Sequence, residues 1–320
     1  MVRRIVAGVD PLVRLLLAAM LLSAILPVSG GARVIAQYVS DSAIFLLFLL
    51  NGLRLPRNEV LRGIGNWHFL LPLALWSYGA MMLAGWGVWA ATESLLPPMV
   101  ALGFLFLGVL PSTVQSATAY SSIAGGNVAS SVVAAALLNI LGVFISAPLF
   151  SILAGSQGVG IDASGLIKVG LILLLPFAIG QAVQNRLGYL VKEHRGLTTW
   201  MDRSAIAIAV YVAFSGAVEQ GIWERIDAAA WAGMLGAVIA LMIFAFAGAW
   251  LVAGAIGLAR GDRIAFLFAG GQKSIAMGAP LATVLFPAAA GLLLLPLLVY
   301  HLLQLVLSAP LASFLAKQEK

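Results

Sequence analysis

Long stretches without a charged residue are the feature that most constrains what this chain can fold into. Segment 94–161 contains no Asp, Glu, Lys or Arg, and neither do segments 63–92, 228–259 and 274–316. A helix needs about 20 mostly apolar residues to cross a bilayer. Charged residues make up 9% of the 320 residues, far below the share of about 25% in soluble domains. This composition excludes a soluble enzyme, and its high hydrophobicity excludes an intrinsically disordered chain.

The hydropathy pattern predicts an all-α polytopic membrane protein with ten transmembrane helices. Ser40 and Asp41 are expected to cap the start of the second helix, since both residue types are favoured N-caps. Pro and Gly inside the segments do not argue against them, because membrane helices tolerate both. The predicted spans lie near 11–28, 37–54, 67–91, 96–124, 127–154, 164–186, 201–219, 229–258, 262–286 and 288–316.

The basic residues predict the orientation of these spans. With a cytoplasmic N-terminus, all of the 18 Lys and Arg except Arg33, Lys168, Arg225 and Lys273 fall in predicted inner segments. This distribution is what the positive-inside rule requires. We therefore expect a multi-pass protein of the cell inner (plasma) membrane with both termini cytoplasmic. The net charge of +6 then reflects orientation in the lipid bilayer, and no nucleic-acid partner is expected.

The ten predicted spans divide into two halves, 1–160 and 161–320, with five spans each. Because five is odd, the second half would enter the membrane from the opposite side, which gives an inverted repeat. Each half also contains an interrupted span. The sequence PSTVQS at 111–116 interrupts the fourth span, and GGQKS at 270–274 interrupts the ninth. Matching interrupted helices in two halves are typical of transporter binding sites.

Polar residues concentrate around the two predicted interruptions. A broken helix bares backbone N–H and C=O groups that cannot face lipid, so they must meet protein, water or a ligand. Small polar side chains also help membrane helices to pack, and that interpretation stays open for each serine taken alone. The candidate substrate- or ion-binding residues are Gln115, Ser116, Thr118, Ser121, Asn127, Ser131, Gln272, Lys273, Ser274 and His301.

Lys273 is the sharpest of these candidates, because ionisable groups inside a membrane are costly and usually functional. Three roles are open to it: a fixed counter-charge for the carbonyl ends of broken helices, a contact for an anionic substrate, or a titrating proton carrier. His301 shares the tenth span with Tyr300, Gln304 and Ser308, whose spacing places them near one face. For His301 a hydrogen-bonded packing role also stays open.

The residue inventory argues against catalysis. The chain has no Cys and three His, so thiolate metal sites and a cysteine nucleophile are excluded. It has no G-x-x-x-x-G-K-[ST] nucleotide loop and no paired intramembrane carboxylates of the kind that hold divalent metals. We therefore expect a protein that is not an enzyme, with no catalytic residue, metal site or cofactor, apart from a sodium ion or proton as coupling ion.

The chain resembles the bile acid:sodium symporter superfamily, in its divergent SBF-like branch, at three motifs. These are AGGNVA at 124–129, GQKS at 271–274 and GAPL at 278–281. The resemblance covers essentially the whole chain. It implies a panel and a core domain, with the fourth and ninth helices crossing at their breaks. It also implies secondary active transport of an organic anion by alternating access.

The sequence departs from the sodium-coupled members of that superfamily. They carry Glu where Phe268 stands and Asn where Thr118 and Lys273 stand, whereas Gln272 and Ser131 match residues that help to hold sodium. An ammonium in the same pocket would repel a sodium ion. We therefore expect that at least one sodium site is lost and that transport is independent of sodium or linked to protons.

Two functions from different classes follow from these residues. The first is a secondary transporter whose partners are a small organic anion and the lipid bilayer. The alternative is a non-transporting membrane scaffold or regulatory protein that keeps the same fold. The substrate, the direction of transport and the oligomeric state are not encoded in any motif of the chain.

Overall fold

A computed structural model describes residues 10–54, 66–155, 163–221 and 226–318, and every regular element in these ranges is a helix. The first helix shows how the sequence starts such an element: the Asp10 side chain accepts from the Leu12 amide (2.7 Å) and Pro11 occupies the first turn, both favourable at a helix N-terminus. The helices are α1 (Pro11–Ile25), α2 (Gly30–Arg54), α3 (Trp67–Thr92, with a π-helical turn at Trp76–Ala80), α4 (Pro98–Gly108), α5 (Gln115–Ile123), α6 (Val128–Gly155), α7 (Ala163–Val169, the π-helical turn Gly170–Leu174 and Leu175–Glu193), α8 (Arg195–Glu219), α9 (Ala228–Ala255), α10 (Arg260–Gly271), α11 (Ile275–Leu285) and α12 (Ala290–Lys317).

Seven of the described helices, α2, α3, α6, α7, α8, α9 and α12, are long and apolar enough to cross a membrane. The helices α1 and α4 are apolar but shorter. The prediction of an all-α, multi-pass membrane protein is confirmed at this level. The count of ten spans and the inverted repeat stay predictions, and the boundary between the two halves at 160/161 lies outside the described residues.

Both predicted interruptions are present. The helix of the fourth predicted span ends at Gly108 and resumes at Gln115, and that of the ninth ends at Gly271 and resumes at Ile275. Gly270 and Gly271, expected within the second interruption, are instead the last helical residues of α10. A Cβ added at Gly270 would meet the Trp76 ring, and one at Gly271 would meet the Phe246 ring. These glycines therefore serve close packing, and the break begins at Gln272, two residues later than predicted.

The expected helix start at Ser40 and Asp41 is wrong. The helix α2 begins at Gly30, whose φ of +56° is a conformation that glycine reaches without strain. Asp41 lies inside the helix, where Lys168 pairs with it at 2.9 Å and the Gln37 amide donates to it at 2.8 Å. A charge inside a membrane helix is tolerated when it is paired, and that pairing cannot be read from the local sequence.

Residues 10–54, 163–221 and 279–292 form one compact unit, unit 1. Within it α2 and α7 run in the same direction. Lys168 contacts Asp41 in the first half of each helix, and Gln181 donates to the Gly52 carbonyl (2.6 Å) further along both. The two backbones approach closely at Gly52 and Gly180, where an added Cβ would have no room.

The helices α2 and α8 of unit 1 run in opposite directions. Arg33 at the start of α2 pairs with Glu219 at the end of α8 at 2.6 Å, and Arg54 at the end of α2 pairs with Asp202 near the start of α8 at 2.5 Å. Arg33 also donates to the Pro287 carbonyl (3.2 Å). These ion pairs fix the register of α2 and α8 at both ends.

Residues 66–155, 226–278 and 293–318 form the second compact unit, unit 2. Its centre is α4, in which residues 100–108 are all buried. The helix α3 runs antiparallel to α4, with Gly85 and Gly108 at their close approach. The helix α6 runs antiparallel to α5, so that Ser131 meets Ser121. Unit 2 contains both interrupted helical segments up to residue 278, and therefore most of the candidate site.

The close approach of α2 and α7 gives a stability prediction. A methyl group at Gly180 would lie 3.0 Å from the Gly52 Cα, so we expect Gly180→Ala to lower the free energy of unfolding by about 1–3 kcal/mol through overpacking. Gly170→Ala is the matched control in the same helix, because nothing lies within 4 Å of its added Cβ. Thermal unfolding in detergent measures both, and equal melting temperatures for the two variants would contradict this packing.

Candidate functional site

The two helix breaks contact each other through the backbone. The Ser274 amide, in the break between α10 and α11, donates to the Pro111 carbonyl in the break between α4 and α5 (2.9 Å). Both residues are buried. One orphaned donor and one orphaned acceptor therefore satisfy each other, as burial away from water demands.

Side chains from α6 satisfy further carbonyls of the first break. The Ser146 hydroxyl donates to the Val109 carbonyl at 2.8 Å, and the Asn139 amide donates to the Ser112 carbonyl at 2.8 Å. In a continuous helix, these two carbonyls would have accepted from backbone N–H groups of the next turn. Asn139 thus holds the broken segment open, because it replaces the missing helical donor.

The last carbonyls of α10 also accept hydrogen bonds from side chains of other helices. The Trp76 indole N–H, from the π-helical turn of α3, donates to the Gly270 carbonyl at 3.2 Å. The Tyr300 hydroxyl donates to the Gly271 carbonyl at 2.5 Å. Both aromatic side chains are buried, so each covers the helix end with apolar surface while its polar atom caps a carbonyl.

The Lys273 ammonium lies on the carbonyl end of α4. Its Nζ atom is 2.8 Å from the Leu110 oxygen, 3.2 Å from the Gly108 oxygen and 3.4 Å from the Ser77 oxygen. Lys273 is 1% exposed. A helix C-terminus carries partial negative charge, so the ammonium neutralises it. An ammonium has three N–H donors, and three carbonyls take them up.

The Gln272 side chain leaves the same break toward a cluster of hydroxyl groups. Its Oε1 atom accepts from Thr113 (2.7 Å) and Ser116 (2.6 Å), and its Nε2 atom donates to Ser308 (3.1 Å). Gln272 has an extended backbone, with φ −94° and ψ 149°. Successive side chains of an extended segment point to opposite sides, which is why Lys273 reaches carbonyls while Gln272 reaches hydroxyls.

The remaining residue of that break starts the next helix. The Ser274 hydroxyl accepts from the Met277 amide (3.3 Å) as a helix cap of α11. His301 joins the group through Gln304, whose Nε2 atom lies 2.9 Å from His301 Nδ1. Of the ten predicted residues, the structure therefore brings Ser116, Gln272, Lys273, Ser274 and His301 into one hydrogen-bonded network.

The other five predicted residues lie outside that network. The Ser121 hydroxyl donates to Ser131 (3.2 Å), and this pair is buried between α5 and α6. Gln115, the first residue of α5, is exposed. The Thr118 hydroxyl oxygen is buried without a hydrogen-bond partner among the described residues.

Asn127 occupies a different place, at the start of α6. Its side chain donates to the Asp262 carboxylate of α10 (2.8 Å) and accepts from the Ser130 amide (3.1 Å). Ser130 donates to the same carboxylate oxygen (2.8 Å). This contact ties the starts of two helices together, and a capping role accounts for it.

Sequence reasoning missed several residues that complete the site. Ser77 contributes only a backbone carbonyl, which no residue type signals. The Trp76 indole N–H caps α10, a role that the apolar sequence around Trp76 does not indicate. Ser146 lies 37 positions along the chain from its partner Val109. Asn139 did carry a sequence signal, because it is the one amide side chain of α6 and lies in an apolar stretch of that helix.

The described residues contain no group of three or more His, Asp or Glu side chains that could hold a metal ion. Phe268 stands where a sodium-binding carboxylate would be expected, and it packs against Tyr120 and Phe246, with ring centroids at 5.9 and 6.4 Å. The oxygen atoms around Gln272 are neutral. The described residues packed around Phe268 are apolar, so they offer no negative charge to offset the desolvation of a cation at this position.

Comparison with known proteins gives a match over residues 10–317 to the model of the SBF-like CPA transporter family. The chain is 35% identical to an uncharacterized protein of Pseudomonas aeruginosa, over 95% of this chain and 92% of the relative. It is 32% identical to YfeH of Escherichia coli, whose name assigns it provisionally to the symporters, over 97% and 93%. It is 22% identical to mouse sodium/bile acid cotransporter 7, over 89% and 85%.

The ammonium on the carbonyl end of α4 gives a second stability prediction. Lys273→Met keeps the length of the side chain but removes the donors, so three buried carbonyls lose a partner. Each such acceptor costs roughly 1–3 kcal/mol, and removal of the buried ammonium offsets part of this cost because its own desolvation is relieved. We therefore expect a net loss of about 2–5 kcal/mol in the free energy of unfolding. Lys192→Met, at an exposed position of α7, should stay within about 0.5 kcal/mol of wild type. Chemical unfolding in detergent compares them, and equal stability of the two variants would refute the bonding described here.

Proposed function

Because this chain belongs to the SBF-like CPA transporter family, we propose that it is a secondary active transporter of a small organic anion. Membership in the bile acid:sodium symporter superfamily carries with it transport, a small solute and a multi-pass membrane setting. The names of two relatives describe transport proteins, which supports the expectation that this chain is not an enzyme. The anion as substrate class and the alternating-access cycle are parts of our proposal.

The proposed topology has ten spans, an inverted repeat of five plus five and both termini on the cytoplasmic side of the inner membrane. The helix directions in unit 1 support it. In such a repeat the second and sixth spans cross the membrane in the same direction, and the seventh crosses in the opposite direction. The helix α2 runs with α7, as the contacts Asp41–Lys168 and Gly52–Gln181 show. It runs against α8, as the two ion pairs with Glu219 and Asp202 show.

The single observation that carries the proposal is the contact of the two breaks, with polar side chains gathered beside it. Ser274 bonds to Pro111 across the breaks, and Gln272 gathers Thr113, Ser116 and Ser308 around one amide. A polar cluster in an otherwise apolar unit is expensive in a membrane and is retained where a solute must pass. We assign this cluster as the solute-binding region.

Lys273 acts in this proposal as the fixed counter-charge. Its three donors are taken up by carbonyls of Ser77, Gly108 and Leu110, so none remains to hold an anion in this conformation. This favours the counter-charge over a substrate contact or a proton carrier. In this proposal the covalently attached ammonium takes the electrostatic place of the sodium ion that sodium-coupled members of the superfamily would bind.

Sodium-independent transport follows from that role. A sodium ion is held by several oxygen ligands and is stabilised by a nearby carboxylate. Here Phe268 lies in an aromatic cluster and Lys273 supplies the positive charge. We propose that the energy for transport comes from another gradient, with the proton as the coupling ion.

The transport test uses purified protein in proteoliposomes. A thermal-shift screen against taurocholate, citrate, pantothenate and para-aminohippurate first selects the anions that raise the melting temperature, because a ligand stabilises the state that it binds. Uptake of the selected anion is then measured with sodium replaced by choline at constant pH. We expect unchanged uptake, and a fall to background in choline would overturn sodium independence.

Variants then separate transport from a scaffold role. Gln272→Leu should abolish uptake while the protein stays folded, since it removes the amide that joins three hydroxyls. Lys273→Asn should make uptake respond to sodium, because the three carbonyls that bind the ammonium become free to bind a sodium ion. Lys192→Asn should behave as wild type. A complete absence of uptake for every stabilising anion, with normal folding, would instead favour the scaffold.

A further inference from the structure

The peptide unit of Lys273 is held by one side chain of α12. The Oε1 atom of Gln304 accepts from the Lys273 amide at 2.8 Å, and its Nε2 atom donates to the Lys273 carbonyl at 3.1 Å. Gln304 is 0% exposed. Both backbone groups of Lys273 are therefore paired by one amide, much as a neighbouring strand would pair them.

The orientation of this amide is fixed by chemistry. A backbone N–H can only donate, so the Gln304 atom that faces the Lys273 amide must be the oxygen. The Gln304 nitrogen then donates one hydrogen to the Lys273 carbonyl and has a second hydrogen left. That second hydrogen faces His301 Nδ1 at 2.9 Å.

The tautomer of His301 follows from this arrangement. Because Gln304 donates to it, Nδ1 must be an acceptor, and the imidazole is therefore neutral with its proton on Nε2. Protonation of Nδ1 would place an N–H group against another N–H group. Gln304 would then lose that bond and turn away from the Lys273 peptide.

We propose that Gln304 is a positioning residue for the two helix breaks and that His301 is its proton-sensitive latch. The two hydrogen bonds between Gln304 and the backbone of Lys273, which we call the clamp, keep this peptide extended. As a result, Gln272 points to the hydroxyl cluster while the ammonium points to the carbonyls of α4. Protonation of His301 releases the clamp and loosens both sides of the break. This inference rests on the proposed function only in that the geometry being held is that of the solute-binding region.

Other titratable groups on the surrounding elements are already engaged elsewhere. Lys273 Nζ is bonded to the Leu110 oxygen, the Tyr300 hydroxyl donates to Gly271, and the Tyr120 hydroxyl of α5 donates to Leu305 (2.9 Å). Each of these donates to a backbone carbonyl. Among these groups, His301 is therefore the one whose protonation would turn the acceptor that faces Gln304 Nε2 into a donor.

The test measures hydrogen–deuterium exchange of the peptide that contains 272–275, in the full-length protein and without any substrate. Labelling times at pH 7.5 and pH 5 are scaled to equal intrinsic exchange. We expect the Lys273 amide to lose protection at the lower pH by about tenfold, the equivalent of one lost hydrogen bond. Protection that is equal at both pH values would overturn the latch.

Two variants and a matched control make the test specific. His301→Asn places a carbonyl oxygen near the position of Nδ1 and cannot titrate in this range, so protection should stay high at both pH values. Gln304→Leu removes both the acceptor for the Lys273 amide and the donor for the Lys273 carbonyl, so protection should be low at both pH values. His68→Asn, at an exposed position, should keep the pH response of wild type.

Global unfolding is monitored through peptides of α9, which makes no hydrogen bond to this clamp among the described residues. A variant counts only when α9 keeps wild-type protection. A pH response that persists in His301→Asn would refute the role of His301, and full protection in Gln304→Leu would refute that of Gln304. Since no solute is used, failure here leaves the transport proposal untouched, and failure of transport leaves the clamp intact.

Discussion

The structure depends on how backbone groups are satisfied where helices stop inside an apolar environment. Every peptide group left unpaired in a membrane costs several kcal/mol, yet two helices are interrupted within the part of the chain that the structure describes. Six of the bared carbonyls, at Gly108, Val109, Leu110, Ser112, Gly270 and Gly271, each receive a donor from a side chain on another element. The breaks are therefore stabilised by donors from α3, α6 and α12 and from the Lys273 side chain.

That requirement also explains why the site is so polar. A hydroxyl, an indole, an amide and an ammonium are each needed for a separate carbonyl, and none of them can be replaced by an aliphatic side chain without leaving an acceptor bare. Among the described residues of this network, the ammonium of Lys273 adds the one charge. It balances the negative end of α4 without a mobile ion, and this connects the packing of the breaks to the sodium independence that we propose.

Much of the fold was predictable from the sequence, because a bilayer imposes a simple length and composition rule on each span. The interruptions at 111–116 and 270–274 were visible as polar and Pro or Gly residues within apolar runs. The start of α2 was not, since the pairing of Asp41 with Lys168 joins residues 127 positions apart. Five of the ten candidate residues lie in one network, while Asn127 caps a helix instead. The local pattern could not separate the two groups, because both consist of small polar residues near helix ends.

The sequence by itself determined that the chain is helical, that it lies in a membrane and that Lys273 is buried, because hydropathy and charge are properties of residues in order. Only the tertiary structure decided what Lys273 and Gln304 do. Their partners are main-chain atoms of Ser77, Gly108 and Leu110 for the ammonium, and of Lys273 itself for the amide. A backbone carbonyl is the same in every residue, so its availability depends on where helices end and meet, which no residue type encodes.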